Sequence, residues 1–308
     1  MKVETSIIIP CYNVGPFIGK LILQLEKQTY QNFEVIFIND GSTDQTGEAI
    51  EKNIAQINHF RVVSIENSGA GAARNIGLDH ASGQYIYFMD ADDQINPNLL
   101  ECSIAQIKRD KSEILIFGYE AINNNKVVYS GSYSSEKVFK SHNDFFLYIN
   151  ENFYKNNLFC PWNKIYRKEF LDKLNMRFPN VKSSEDALFN LTIFQFVHRV
   201  SISDQILYRY LVGREGSLQN SVSNTKFFDD YIVALKIQEL VEYDTLRPII
   251  YRQYLIHMLY RYTNKTSLPT IEASIDLNDI LSIKNAKGLA LKELIKWSIV
   301  RMRRVYLR

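Results

Sequence analysis

Three carboxylates, Asp90, Asp92 and Asp93, close the apolar run Tyr85-Ile86-Tyr87-Phe88-Met89. Such a run reads as a buried strand bounded by polar residues. The carboxyl ends of strands are where an open α/β sheet holds its ligand. Like charges this close repel and raise each other's pKa unless a cation or hydrogen-bond donors lie among them. Asp90 and Asp92, one residue apart, can hold Mg²⁺ or Mn²⁺ through one or two carboxylates when phosphate oxygens complete the shell. An acidic turn or helix cap fits the same residues, with Asp93 as the turn or cap residue, because Asp93 and Asn96-Pro97 precede an apolar-periodic segment. The run by itself fits both readings.

Three further clusters have chemistry in reach. In Pro10-Cys11-Tyr12-Asn13, Tyr12 can lay its ring against a flat base, although a lone tyrosine is more often a packing residue. In Asn39-Asp40-Gly41-Ser42-Thr43-Asp44, Gly41-Ser42 forces a turn and leaves Asp40 at the edge of a sheet. A carboxylate there can accept a bond from a base N–H or a ribose hydroxyl. A turn with a helix cap, Asp44 and Thr46 bonding the backbone, accounts for the same residues. The stretch from Asn67 through Gly69-Ala70-Gly71-Ala72-Ala73-Arg74 is rich in small residues, which let a backbone approach phosphate closely. Arg74, one helical turn on, suits a diphosphate. The glycines lack the third member and the first-strand position of a dinucleotide fingerprint.

The elements that must hold these clusters alternate over the first hundred residues. Strands are predicted at 6–9, stopped by Pro10, and at 33–38, 61–65 and 85–89. Phe17, Ile18, Leu21, Ile22 and Leu25 fall at helical spacing after Pro16, and further helices are predicted at 69–80 and 97–109. The alternation implies a mostly parallel sheet with helices on its faces. Beyond Lys111 the pattern predicts a strand at 113–117 and a hairpin turning at Asn123-Asn124-Asn125. A helix over 185–197 and a strand over 205–212 follow, then a polar linker at 213–224 and helices to the end.

Composition narrows the class. The 308 residues are 46% hydrophobic and 23% charged, an ordinary globular balance. A net charge of +2 supplies no general basic field for nucleic acid. Cys11, Cys102 and Cys160 lie far apart with no CxxC pair, so neither a disulfide framework nor a zinc site is expected, and a reducing, cytoplasmic setting is the default. The five histidines lack zinc-hydrolase spacing. The opening MKVETSIII is too short an apolar run for a secretory signal, and no apolar run is long enough to span a membrane.

Taken in order, strand-PCYN, strand-NDGSTD, NSGAGAARNIGL and GQYIYFMDADD, the chain resembles the family 2 glycosyltransferases, which carry the GT-A fold and use nucleotide-diphospho-sugars. The resemblance is close over residues 4–100. It is looser through Pro161-Trp162-Asn163-Lys164-Ile165-Tyr166 and Ser184-Glu185-Asp186 to about residue 212, and the last third carries no family motif. It implies a GT-A domain over 1–215, with a donor half at 1–100 and an acceptor half at 101–215, and a helical region at 216–308. By the same resemblance Tyr12 stacks on the base, most often uracil, and Asp40 bonds to it. Pro10, Asn13 and Asn67 lie beside them, with Arg74, Asp90 and Ala91 also around the nucleotide sugar. Asp90 and Asp92 become the DxD pair for Mn²⁺ or Mg²⁺, Asp92 nearest the ion, and Asp186 matches the general base. Asn39 stands where the family often has a first aspartate, while Asp40 is retained.

The implied reaction is inverting transfer of a hexosyl or N-acetylhexosaminyl group from a UDP-linked donor to a hydroxyl of a saccharide, lipid-linked saccharide or glycoprotein, in polysaccharide or glycoconjugate assembly. Its chemistry requires a base beside the acceptor hydroxyl on the face away from the leaving diphosphate, and charge neutralisation on the departing side. The absence of a Gln-x-x-Arg-Trp motif and of spanning segments implies one sugar per encounter. For Asp186 alone, a helix N-terminal carboxylate capped by Ser183 or Ser184 is the competing account. A non-catalytic GT-A binding subunit is one alternative function. A sugar nucleotidyltransferase is another, but it would be expected to carry a Gly-rich basic loop where Pro10-Cys11-Tyr12-Asn13 stands. The C-terminal basic residues from Lys284 to Arg308, with Leu291, Leu294, Ile295 and Trp297 among them, can rest on the inner face of an anionic membrane or form a solvated face. Tyr251, Tyr254, Met258 and Tyr262 can supply a homodimer face or a local core.

Overall fold

The computed structural model describes residues 3–152, 157–181 and 184–213; the predicted linker beyond Gly213, the C-terminal helices, the basic tail and the 251–262 aromatic run lie outside these. The chain divides into one unit of residues 1–180 with 185–215 and another of 181–184 with 216–308. The elements that follow all belong to the first.

In chain order they are β1 (Thr5–Cys11), α1 (Gly15–Glu26), β2 (Phe33–Asp40), α2 (Thr46–Ile54), β3 (Phe60–Ile65), α3 (Ala70–His80), β4 (Tyr85–Phe88), β5 (Gln94–Ile95), α4 (Leu99–Asp110), β6 (Ile114–Asn123), β7 (Lys126–Gly131), β8 (Lys137–Phe139), α5 (His142–Asn152), β9 (Lys164–Arg167), α6 (Lys168–Lys173), α7 (Glu185–Phe196) and β10 (Val200–Leu211). The sheet runs β3-β2-β1-β4-β9-β6-β10-β5, with β7 on β6 and β8 on β10. β3, β2, β1 and β4 are parallel, as are β6 and β10, and β9 enters antiparallel between β4 and β6. The result is the expected α/β class with a mixed, mostly parallel sheet.

Two local readings change. Pro10 does not stop the first strand, which continues to Cys11 with Pro10 opposite Ile38 of β2. Ile8 turns its carbonyl to β4, accepting from Met89 N at 3.1 Å, so Pro10, two residues on, faces the same side. Pairing with β4 ends at Ile8, so the missing proline N–H forfeits no ladder bond there. The strand predicted at 113–117 and the first arm of the predicted hairpin are one strand, β6, and its hairpin with β7 turns at Asn124 and Asn125, both at positive φ (48° and 60°). Asparagine tolerates that backbone region, which two-residue hairpin turns require.

Each face of the sheet is covered. Ile7, Ile9, Val35, Phe37, Tyr87, Leu115 and Phe117 pack in one buried cluster with Ile18, Leu21 and Leu25 of α1 and Leu100, Ile104 and Ile107 of α4. On the other face, Phe88 meets Tyr166, Phe178 and Phe189 edge-on, with ring centres 5.1–5.9 Å away. Gly77 brings α3 onto β1, since a Cβ there would collide with Ile8. A buried carboxylate, Glu34, laces the parallel strands together. It accepts from Ser6 Oγ (2.6 Å), Ser82 N (2.8 Å) and Ser82 Oγ (2.7 Å) and pairs with Arg61 at 3.0 Å.

Candidate active site

The parallel direction of β1, β2 and β4 brings their carboxyl ends, with Tyr12, Asp40 and Asp90 on or just beyond them, to one edge of the sheet. Tyr12 is 48% exposed, so its ring is open for stacking rather than packed. Asn13, at φ 52°, ties the first two strand ends together: its Oδ1 accepts from Thr43 N at 2.9 Å, and its amide donates to Ser42 Oγ at 3.2 Å. Asp44 takes the cap chemistry, accepting from Thr46 N at 2.9 Å and Gly15 N at 3.3 Å. Burial pushes its carboxyl up, but these hydrogen bonds outweigh it and hold it below the usual range.

Asp40 is buried and points into the loop that opens α3. It accepts from Ser68 N (2.7 Å), Ser68 Oγ (3.2 Å) and Gly69 N (2.9 Å). A carboxylate has about four acceptor positions, so one remains for a further donor. Asn67 donates to the Asp40 carbonyl at 3.1 Å, and its backbone crosses so near Gly41 (φ +61°) that a Cβ there would lie 2.6 Å from Asn67 N. Gly41 therefore serves both the turn and the approach of the 67–69 loop.

Arg74, which suits a diphosphate by its place in the sequence, is held in this structure by two carboxylates. Its guanidinium is buried and spans two carboxylates, Asp90 Oδ1 at 2.9 Å and Glu185 Oε1 at 3.0 Å, with Phe178 under it at 5.4 Å. Its Nε has no hydrogen-bond partner. Burial disfavours the charge, but Asp90, Glu185 and Asp186 together more than restore it. The residue thus ties the end of β4 to the start of α7, whose first turn carries Glu185 and Asp186.

Asp186 is half-buried and accepts the Ala187 amide at 2.7 Å. Desolvation and the Glu185 charge push its carboxyl up to about 7, against the pull of Arg74. Beneath it α7 rests on a polar seam. Asn190 accepts from Tyr166 Oη (2.7 Å) and donates to the carbonyls of Phe159 (2.6 Å) and Asp186 (3.1 Å). Lys164, wholly buried, donates to Asn163 Oδ1 at 2.7 Å and to the Cys160 carbonyl. Desolvation pulls its ammonium down to about 7. Cys11 and Cys160 are buried thiols pushed upward by desolvation, and so are poor nucleophiles at neutral pH.

The glycosyl transferase family 2 profile matches residues 6–174, more than half of the chain. The chain belongs to glycosyltransferase family 2. It is 30% identical over 290 residues to the Staphylococcus aureus poly(ribitol-phosphate) beta-N-acetylglucosaminyltransferase TarS, covering 92% of this chain and 48% of that protein. It is 33% identical over 227 residues to glycosyltransferase GlyA of Streptococcus pneumoniae serotype 4, covering 70% of this chain and 31% of GlyA. The chain thus spans at most about half the length of these two relatives. The crystal structure of S. aureus TarS 1–349 with UDP-GlcNAc superposes with a TM-score of 0.67 at 24% identity, covering 99% of this chain and 89% of that one. The shared fold is GT-A.

Several contacts at the site of this family 2 glycosyltransferase escape the sequence. Glu185 stands inside the Glu-Asp motif, but its pairing with Arg74 spans 111 positions. Asp93 is not a helix cap: its carboxylate reaches β10, accepting from Tyr208 Oη at 2.5 Å and Leu211 N at 2.7 Å. Trp162 lies nearly parallel to Tyr208 and Tyr210, with centroids at 4.7 and 5.3 Å, and Tyr119 meets it edge-on at 4.9 Å. The clue to this stack was the period of two that puts Tyr208 and Tyr210 on one face of a strand. Among the described residues no group of three or more His, Cys, Asp or Glu forms a metal cage, and no helix is long and apolar enough to cross a membrane.

Proposed function

We propose that this family 2 glycosyltransferase moves a sugar, with inversion, from a UDP-linked donor to a hydroxyl of a saccharide or glycoconjugate acceptor, one sugar per encounter. The observation that carries this reading is the placement of Arg74, which pairs with Asp90 at 2.9 Å and Glu185 at 3.0 Å and so holds the first turn of α7, with Asp186, beside the end of β4. A carboxylate held near 7 beside a buried arginine is matched to accepting a proton at neutral pH, as a general base requires. Glu185 and Arg74 tie its helix to Asp90, which supports a base facing the donor's leaving group.

Tyr12 offers an exposed ring for the base, and Asp40 keeps one acceptor position for it. Pro10, Asn13 and Asn67 shape the loops around them. Asp90 and Ala91 begin the turn that would meet the diphosphate, with Asp92 beyond. Two carboxylates are the hard oxygen donors that Mn²⁺ or Mg²⁺ takes when phosphates supply the rest, so Asp90 and Asp92 fit such an ion though not a cage. When bound there, the ion would neutralise charge on the leaving diphosphate. Residues 1–100 would hold the donor and 101–215 the acceptor, whose class stays saccharide, lipid-linked saccharide or glycoprotein.

A thermal-shift panel of nucleotide sugars with Mn²⁺ tests the donor. UDP-GlcNAc, the ligand in the TarS complex, is the first trial. A ligand that binds only the native state raises the melting temperature. Stabilisation by UDP-sugars is expected; stabilisation by GDP-sugars alone would refute a UDP-linked donor.

A further inference from the structure

Asp93 has no part in the chemistry above, yet it is the most deeply placed of the three carboxylates, 2% exposed. Burying a carboxyl group beside two further carboxylates is costly, so stability alone would favour an apolar side chain there. What the carboxylate does is visible in its partners. Tyr208 Oη donates to Asp93 Oδ2 at 2.5 Å and accepts from Asp90 N at 3.4 Å. The other oxygen, Oδ1, takes Leu211 N at 2.7 Å. Asp93 N returns to the Asp90 carbonyl at 3.3 Å and closes the turn. Just downstream, Asn96 N bonds the Leu207 carbonyl at 2.9 Å, and Ile95 pairs with Tyr208. Trp162, nearly parallel to the Tyr208 ring at 4.7 Å, fixes the ring that carries the hydroxyl.

We propose that Tyr208 and Asp93 are positioning residues, a clamp from β10 that sets the 90–93 turn so that Asp90 and Asp92 meet a metal-bound nucleoside diphosphate. The inference rests on the reading of that turn as the donor site. It assigns a task to a strand of the acceptor half: the Tyr208 hydroxyl of β10 grips the turn's own Asp93 carboxylate, more than a hundred residues away in sequence. Tyr208→Phe removes a single oxygen and keeps the ring stack. Without it the Asp90 amide and Asp93 lose a partner, and the turn is free to relax under the repulsion of its own charges.

The test is a calorimetric titration of UDP with Mn²⁺ into the full chain. Tyr208→Phe should raise the Kd about tenfold, the worth of one buried hydrogen bond. Asp93→Ala should weaken binding at least as much. Asp93→Asn, which can accept from Leu211 N and donate to the phenol, should restore it to within about threefold. Glu34→Ala, at the other edge of the sheet, is the stability control: it should lower the unfolding midpoint and bind like wild type. Wild-type binding with an unchanged Kd in Tyr208→Phe overturns the clamp alone. So does an Asp93→Asn variant as weak as Asp93→Ala, or an equal loss in Glu34→Ala. A flat wild-type titration overturns the donor-site reading, and the clamp with it.

Discussion

At the scale of single residues, Asp186 governs the expected pH behaviour. Its folded-state value of about 7 lies above the ordinary 3.8, so the base form accumulates only as pH rises through about 7. The rate of transfer should climb over that range, and Asp186→Asn should lose about a thousandfold of it, the scale of general-base catalysis. Stability runs the opposite way. Between about 4 and 7 the folded state holds a proton that the unfolded chain has released, so this stabilisation is lost as pH rises through about 7. Asp186→Asn should therefore melt higher than wild type at pH 8, with the gain shrinking toward pH 5 in a series of thermal melts. A gain that grows at low pH would contradict the assignment. Asp90, Asp92 and Asp186 were legible as candidates because each sits in a contiguous motif with a marked chemistry. The counter-ion role of Arg74 was not, because its carboxylates lie 16 and 111 positions away and a diphosphate would satisfy it equally well.

At the scale of elements, apolar runs located β1 to β4 and helical spacing located α1, because each buries one face in a shared core; α2 and the two-residue β5 were not predicted. The short antiparallel β9 left no signal. Its four residues include a buried Lys164 held by Asn163 and the Cys160 carbonyl, partners that only the folded chain supplies. Pro10 misled for the opposite reason: a local strand-breaker is harmless where the neighbouring strand has already ended. Glu34 gives the test at this scale. It joins β2 to Ser6 of β1 and to Ser82 in the turn before β4. Glu34→Ala orphans those donors and should cost about 2–3 kcal/mol in urea unfolding. Burial raises the carboxyl of Glu34, but the serine bonds and Arg61 pull it below its ordinary 4.5. Its contribution is present above that value and fades as pH falls through the lowered folded one, so the wild-type advantage should shrink in acid. A cost below about 0.5 kcal/mol would show that the lacing matters little.

At the scale of the whole molecule, the order of the clusters along the chain carried the family, and the sheet order explains why: β1, β2 and β4 lie parallel at one end of the path, so clusters distant in sequence share one edge. The aromatic stack on Trp162 depends on pairing between β6 and β10 some ninety residues apart, which no local pattern announces. The basic residues from Lys284 onward carry a separate expectation. Co-sedimentation of the full chain with anionic vesicles should be seen at low salt and disappear at high salt; no binding at either would reject peripheral membrane contact. The central claim is a division of labour, with Asp92 on the leaving side and Asp186 on the attacking side. Titration of Mn²⁺ and UDP into Asp92→Ala and Asp186→Asn tests it most directly. Asp186→Asn should bind within about twofold of wild type, because the base takes no part in holding the leaving group, and Asp92→Ala should lose the ion-dependent binding. Equal loss in both variants, or wild-type binding by Asp92→Ala, would contradict the account.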